Sequence, residues 1–169
     1  MCMNICSRCL VVTENTYLYT VEQNQRTKIR LKALLMVTSK VEYLGQLRTE
    51  CTHLASGMKI ITDAPLDNHG KGEAFSPTDL VATAYASCMI TIMGIYCDTH
   101  SVSFKHAEAE VEKIMSSAPR RIEQLIMRID LTENGWDDAT ADKVIRAGKA
   151  CPVAQTFWDG VKVDIEFKW

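Results

Sequence analysis

The sequence lacks an excess of charge of either sign. Its 169 residues carry 19 Lys and Arg against 21 Asp and Glu, a net charge of −2 at pH 7. A nucleic-acid-binding protein normally shows a basic excess or a basic stripe, so this function class is excluded. Glycine and proline are few, at eight and four residues, which excludes a collagen-like chain. With 47% apolar residues, the composition is that of a globular protein of one domain, or one domain plus an appendage.

A secretory signal is also missing. Such a signal needs an apolar run of roughly 7–15 residues near the N-terminus, and the run Cys9–Thr13 is too short. The seven cysteines are an odd number in a chain too long for a disulfide-stapled mini-protein. We therefore expect a cytoplasmic protein with reduced thiols. Cys6 and Cys9 have CxxC spacing but lack the strand–helix context of a redox motif and the second pair of a zinc site.

The first 35 residues differ from the rest of the chain. They carry five basic and two acidic residues and contain neither glycine nor proline, whereas residues 36–169 are net acidic. We interpret 1–35 as an N-terminal extension or an upstream reading of the gene, with an extra strand or helix packed on the domain as the alternative. The compact domain is predicted to span residues 36–169.

A run of 18 uncharged residues, 80–97, is a candidate membrane-spanning segment. Its length is near the lower limit of a transmembrane helix. The run is rich in small residues, and its flanks, Asp79 and Asp98, are acidic. This pattern is typical of a helix buried on all sides by protein, so we expect no membrane association.

The start of this helix is well marked. Ser76 is the predicted N-cap and Pro77 the first helical residue. Asp79, three residues after the N-cap, completes a capping box with Ser76. The helix is expected to run from Pro77 to about Thr99. The preceding residues 63–76 are rich in turn formers and predict a long loop.

The rest of the chain has mostly the alternating pattern of strands. Three short runs predict a β-meander, two longer runs a strand pair, and the tail a final strand. A second, amphipathic helix is predicted over Asp137–Ala150. The order β-β-β-α-β-β-α-β indicates an α+β fold. The predicted strands are Val37–Leu44, Leu47–His53, Met58–Thr62, Val102–Met115, Arg121–Leu131 and Val161–Phe167.

Two separated motifs resemble a known family. The run from Ser76 to Cys88 (SPTDLVATAYASC), followed by Cys151-Pro152-Val153, is similar to the OsmC/Ohr family of osmotically induced and organic hydroperoxide resistance proteins. The similarity extends over essentially 40–169. It implies an OsmC-like fold, in which antiparallel sheets wrap around long central helices in an intertwined homodimer.

The resemblance also implies a chemistry, the thiol-dependent reduction of organic hydroperoxides in defence against oxidative stress. It implies that Cys88 is the peroxidatic thiol and Cys151 the resolving thiol, with an external dithiol as reductant and no cofactor. Peroxide attack needs a thiolate, and burial disfavours thiolates, so a cation must oppose burial. Arg48 matches the family arginine with this role. Without the resemblance, a lone cysteine is most simply a small buried hydrophobe, which is how we interpret Cys51 and Cys97.

One position departs from the family pattern. The hydroperoxide resistance branch carries a Glu directly after the motif proline, where it orients the arginine, and this chain has Thr78 instead. Asp79 or Glu73 is the candidate replacement. This places the chain in a divergent OsmC-like branch.

An alternative function keeps the same fold. In it the protein is a dimeric binding protein for a hydrophobic small molecule, held in a cleft lined by Tyr85, Met89 and Met93, and the cysteines are incidental. No metal site is expected, because the four histidines are scattered along the chain.

Overall fold

The computed structural model describes residues 37–157 and 160–169. The extension 1–35, with its three cysteines, lies outside the described residues, so the interpretation of that segment stays a prediction. The chain divides into two compact units. Of the described residues, the first unit contains 37–45 and Thr49–Ile61, and the second contains Gln46–Arg48 and Thr62–Trp169.

The predicted meander is present as a three-stranded sheet. Its strands, in the order β1-β2-β3, are β1 (Ser39–Gly45), β2 (Arg48–His53) and β3 (Lys59–Asp63). Two of its terminal residues belong to the second unit, Arg48 at the start of β2 and Asp63 at the end of β3.

Helix α1 (Pro77–His100) is the central element of the second unit. The predicted capping box is present, since the Ser76 hydroxyl accepts from the Asp79 N–H and the Asp79 carboxylate accepts from the Ser76 N–H. The helix is long and apolar enough to span a membrane, with a mean hydropathy of 1.7. Its inward face instead supplies the core of the second unit. The buried residues of that face are Ala82, Tyr85, Ala86, Met89, Met93 and Cys97.

A second sheet covers part of this core. It consists of β4 (Glu108–Ser117), β5 (Arg120–Asp130) and β6 (Lys162–Lys168) in that order. β4 and β5 are antiparallel, whereas β6 runs parallel to β5. The parallel pairing follows from the connection, because the chain passes through two helices between β5 and β6. These are α2 (Asp138–Lys149), which the sequence predicted, and the short α3 (Pro152–Thr156), which it did not. The α+β prediction is confirmed.

The predicted strand Val102–Met115 is wrong in its first half, since β4 begins only at Glu108. The buried Asn134 explains the difference. Its side-chain oxygen accepts from the backbone N–H groups of Lys105 at 2.7 Å and His106 at 3.3 Å. Its amide donates to the carbonyls of His106 and Leu131, both at 2.7 Å. Backbone groups that a strand would pair with a neighbour are therefore paired with one side chain.

Helices α1 and α2 pack closely because α2 carries Gly148 at the contact. A Cβ at Gly148 would lie 2.5 Å from Met93 Cε and 3.0 Å from Met89 Cγ. Cβ atoms do not approach other carbons this closely, so a side chain at Gly148 would force the Met89 and Met93 side chains, or the helices, to shift. Gly148 therefore fixes the distance at which the end of α2 passes the middle of α1.

We predict that Gly148→Ala destabilises the protein. Alanine normally stabilises a helix interior by roughly 0.5–1 kcal/mol relative to glycine, but overpacking a close contact costs about 1–3 kcal/mol. The net effect should be a loss of about 1–2 kcal/mol in the free energy of unfolding, measured by chemical denaturation. Asp142→Ala, on the exposed face of α2, is the control. A Gly148→Ala protein as stable as the control would show that the helices separate without cost.

Candidate functional site

Two thiols far apart in sequence meet in the second unit. Cys88 lies half-buried near the middle of α1, and Cys151 lies fully buried between α2 and α3. The two thiols lie close enough for Cys88 to raise the pKa of Cys151, and both are free. The contact follows from the packing at Gly148, since Gly148 touches the α1 residue next to Cys88, and the Cys151 N–H donates to the Gly148 carbonyl at 3.0 Å.

The surroundings of Cys151 keep it protonated. Burial raises the pKa of the Cys151 thiol, and the hydrogen bond and negative charge of an ionised Cys88 raise it further. The Ala154 N–H, which donates to Cys151 Sγ at 3.3 Å, opposes this rise without cancelling it. A Cys88 thiolate would therefore face a neutral Cys151 thiol. In this arrangement Cys88 can act as a nucleophile while Cys151 keeps its proton.

Two aromatic rings lie beside this pair. The ring of Tyr85, one turn before Cys88 on α1, packs against Phe157 with their centroids 5.6 Å apart. Burial raises the pKa of the Tyr85 phenol, and the nearby Cys151 raises it further. Tyr85 therefore stays neutral and presents no charge to the thiols.

Arg48 lies in a cluster of acidic groups. Its Nη2 donates to Asp63 Oδ2 at 3.3 Å and also to Glu73 Oε2. These two contacts raise the pKa of the guanidinium, chiefly through Asp63. Among the described residues, Arg48 has no hydrogen bond or ion pair with Cys88. The structure thus brings the two predicted cysteines together but does not place the predicted arginine against them.

Thr78, at the position of the family Glu, and its two candidate replacements have different partners. Glu73 contacts Arg48. Asp79 instead caps α1 and pairs with Lys113 at 3.0 Å. Burial opposes ionisation of Asp79, but hydrogen bonds from Ser76 and the pair with Lys113 outweigh it and lower its pKa. The Thr78 hydroxyl is hydrogen-bonded to Ser76 at 3.1 Å. Of the three, only Glu73 touches the arginine.

Sequence reasoning missed Asp63. This carboxylate is fully buried and contacts Arg48, and it accepts from the Glu73 N–H at 3.0 Å. Hydrogen bonds from the Glu73 N–H and Arg48 lower the pKa of Asp63 despite its burial. In the sequence Asp63 opens a loop-like segment, where aspartate is common, so the only signal was its position directly after an apolar strand.

Two adjoining cavities open between α1 and β4. The first, of about 490 Å³, contains Glu73, Asp79 and Lys113 in its lining. The second, of about 530 Å³, is more apolar and includes Ser87, the residue before Cys88. The lining residues that the two cavities share are Phe75, Thr83 and Val111.

The cleft lining expected for a binding protein is wrong. Met89 and Met93 are fully buried and Tyr85 is 6% exposed, so all three belong to the core of the second unit. The apolar face of α1 points these side chains inward toward α2 and the second sheet, which leaves them outside both cavities. Within the described ranges, no three His, Cys, Asp or Glu residues are grouped closely enough to hold a metal ion.

Comparisons with known proteins agree with the predicted resemblance. A model of the OsmC-like protein family matches residues 70–166. A solved structure from Psychrobacter arcticus 273-4, described as a candidate osmotic stress induced and detoxification response protein, is 44% identical, with a TM-score of 0.74 over 79% of this chain and 96% of that one. No curated protein matches.

More distant structures share the fold. An organic hydroperoxide resistance protein OsmC from Legionella pneumophila is 17% identical, with a TM-score of 0.64 over 79% of this chain and 98% of that one. The organic hydroperoxide resistance protein OhrB of Bacillus subtilis is also 17% identical, with a TM-score of 0.58 over 79% of this chain and 99% of that one. The resemblance is confirmed, and the chain belongs to the OsmC-like protein family.

Proposed function

We propose that the protein is a thiol-dependent peroxidase that reduces organic hydroperoxides to alcohols in the cytoplasm. The observation that carries the proposal is the proximity of Cys88 and Cys151, two free thiols 63 residues apart in sequence, of which Cys88 raises the pKa of Cys151. Two neighbouring thiols, one half-exposed and one buried, are placed to form a disulfide. The names of the hydroperoxide resistance proteins that share the fold support the same substrate class.

The first half of the reaction takes place at Cys88. Its thiolate attacks the terminal oxygen of the hydroperoxide, the O–O bond breaks, and the alkoxide takes a proton to leave as the alcohol. The sulfur is oxidised to a sulfenic acid while the peroxide is reduced by two electrons. Arg48, from the same chain or from the second copy of a homodimer, favours the thiolate by its positive charge.

The second half restores the thiols. Cys151 attacks the sulfenic sulfur, a disulfide forms and water leaves. An external dithiol then reduces the disulfide by exchange and is itself oxidised. Burial of Cys151 supports its role as the resolving thiol, since a hydroperoxide reaches the half-exposed Cys88 more easily.

A ligand-binding function has one observation in its favour, the apolar cavity of about 530 Å³ beside Ser87. A hydrophobic molecule in this cavity would contact α1 at Ser87, the residue before Cys88. The two functions differ in whether Cys88 is needed. Binding of a hydrophobic fluorescent dye that survives Cys88→Ser, in a protein that consumes no hydroperoxide, would favour the binding function.

The peroxidase is tested by hydroperoxide consumption with a dithiol reductant. Cys88→Ser should lower the rate to the uncatalysed level, because the alcohol of serine is not ionised at neutral pH. Cys151→Ser should consume hydroperoxide more slowly and become over-oxidised, because its Cys88 sulfenic acid must wait for the external dithiol instead of condensing with a neighbouring thiol. Cys51→Ser, a change to a cysteine of β2, is the matched control and should stay active. Full activity of Cys88→Ser would contradict the proposal.

We also propose that the protein is a homodimer. In the first unit, Val41, Tyr43 and Met58 are 60%, 65% and 68% exposed, and on α1 the exposed face contains Val81 and Ile95. A single chain with this much exposed apolar surface gains free energy by covering it. The exposed apolar residues lie on both units, which supports an interface of the obligate class.

Light scattering should therefore give twice the chain mass of 19.0 kDa. The interface should bury more than about 2,000 Å² in total, as in obligate dimers. Val81→Asp should weaken the dimer, because it places a charge on an apolar face. Asp142→Ala, on the exposed side of α2, should not. A 19.0 kDa particle at micromolar concentration would refute the dimer.

A further inference from the structure

The cluster of Arg48, Asp63 and Glu73 is asymmetric. Both carboxylates contact the same guanidinium nitrogen, Nη2. The Asp63 side chain has no exposed surface, whereas that of Glu73 is 58% exposed. One partner of the arginine is therefore enclosed by protein, and the other lies in contact with solvent.

Asp63 cannot move independently of the loop that follows β3. Its carboxylate accepts the backbone N–H of Glu73 at 3.0 Å. The Asp63 N–H donates to the Phe75 carbonyl at 3.1 Å. Displacing Asp63 would break these bonds inside the protein, where unpaired polar groups are costly. Releasing the Glu73 side chain breaks only its contact with Arg48, and water replaces it.

The guanidinium has hydrogen-bonding capacity left. Arg48 Nε is buried and has no partner among the described residues, and the same is true of Asp63 Oδ1. An arginine presents five N–H donors in a planar fork, and both carboxylate contacts use one nitrogen of that fork. The group can therefore stay anchored through Nη2 while another part of it accepts a new anion.

We propose that Asp63 is the fixed positioning residue of Arg48 and that Glu73 is its exchangeable partner, which leaves the guanidinium when Arg48 contacts the reacting thiolate. This inference rests on the proposed function, because it takes Arg48 as the cation that activates Cys88. It assigns to two carboxylates that bind the same atom opposite effects on the formation of the Cys88 thiolate.

The opposite effects distinguish positioning from simple charge. If the carboxylates acted on Cys88 only through their negative charge, removing either one would favour the thiolate. Under the proposal, loss of Asp63 frees Arg48 to leave the site and disfavours the thiolate. Loss of the Glu73 charge removes a competitor for the guanidinium and favours it.

The experiment measures the rate of Cys88 alkylation by iodoacetamide against pH, with the modified peptide quantified by mass spectrometry. Arg48→Ala and Asp63→Asn should each raise the pH midpoint of the alkylation curve by about one pH unit. Below that midpoint, alkylation becomes roughly tenfold slower. Glu73→Gln should lower it. Asp67→Asn is the matched control, since this carboxylate lies on the same loop, is 63% exposed and pairs with Arg120, and its curve should superimpose on the wild type.

The same changes are then made in the Arg48→Ala background. Asp63→Asn and Glu73→Gln should have no further effect there, because both act through the arginine. Effects that persist without Arg48, a downward shift in Asp63→Asn, or an unchanged midpoint in Arg48→Ala would each overturn the inference. Hydroperoxide consumption is measured separately, so a wild type that consumes none would refute the peroxidase while the alkylation curves still decide the role of Asp63.

Asp63→Asn could fail to fold, because Asp63 is buried, and a second pair of variants covers that case. Asp63→Glu keeps the charge but displaces it by one methylene, and it should raise the midpoint less than Arg48→Ala. Arg48→Lys keeps a charge but loses the planar fork and should also give an intermediate midpoint. Wild-type curves for both variants would overturn the inference.

Discussion

The candidate site depends on the close packing of α2 against α1 at Gly148. The absence of a side chain there lets the backbone of α2 approach Met89 and Met93. The chain leaves α2 at that point, so Cys151 lies close enough to Cys88 for Cys88 to raise its pKa. A larger residue at Gly148 would disturb this packing and, with it, the placement of the two cysteines.

Burial then gives the two thiols different properties. Cys151 is fully enclosed, and burial together with the neighbouring sulfur raises its pKa. Cys88 is half-exposed on a helix whose other face forms the core. One helix packing contact thus produces both the proximity and the asymmetry that the proposed chemistry requires, without a charged group in direct contact with either sulfur among the described residues.

The acidic cluster around Arg48 has a different origin. It is assembled by the ends of two strands of the meander and by the loop that follows β3, and Asp63 is the residue that joins them. A buried carboxylate is normally costly, and here backbone N–H groups and a guanidinium offset that cost. Since each of these partners comes from a different segment, the cluster exists only when the loop is folded.

The sequence by itself determined the elements and the family. Capping residues and a run of uncharged residues predicted α1 to within a residue, and the motifs ending at Cys88 and starting at Cys151 identified the family, because both signals are local. Only the tertiary structure decided that β4 starts at Glu108, since the backbone before it is paired with the distant Asn134. It alone also revealed Asp63 as a partner of Arg48 and put Met89 and Met93 in the core. Such outcomes depend on which segments pack together, and residues far apart in sequence carry no local signal of that packing.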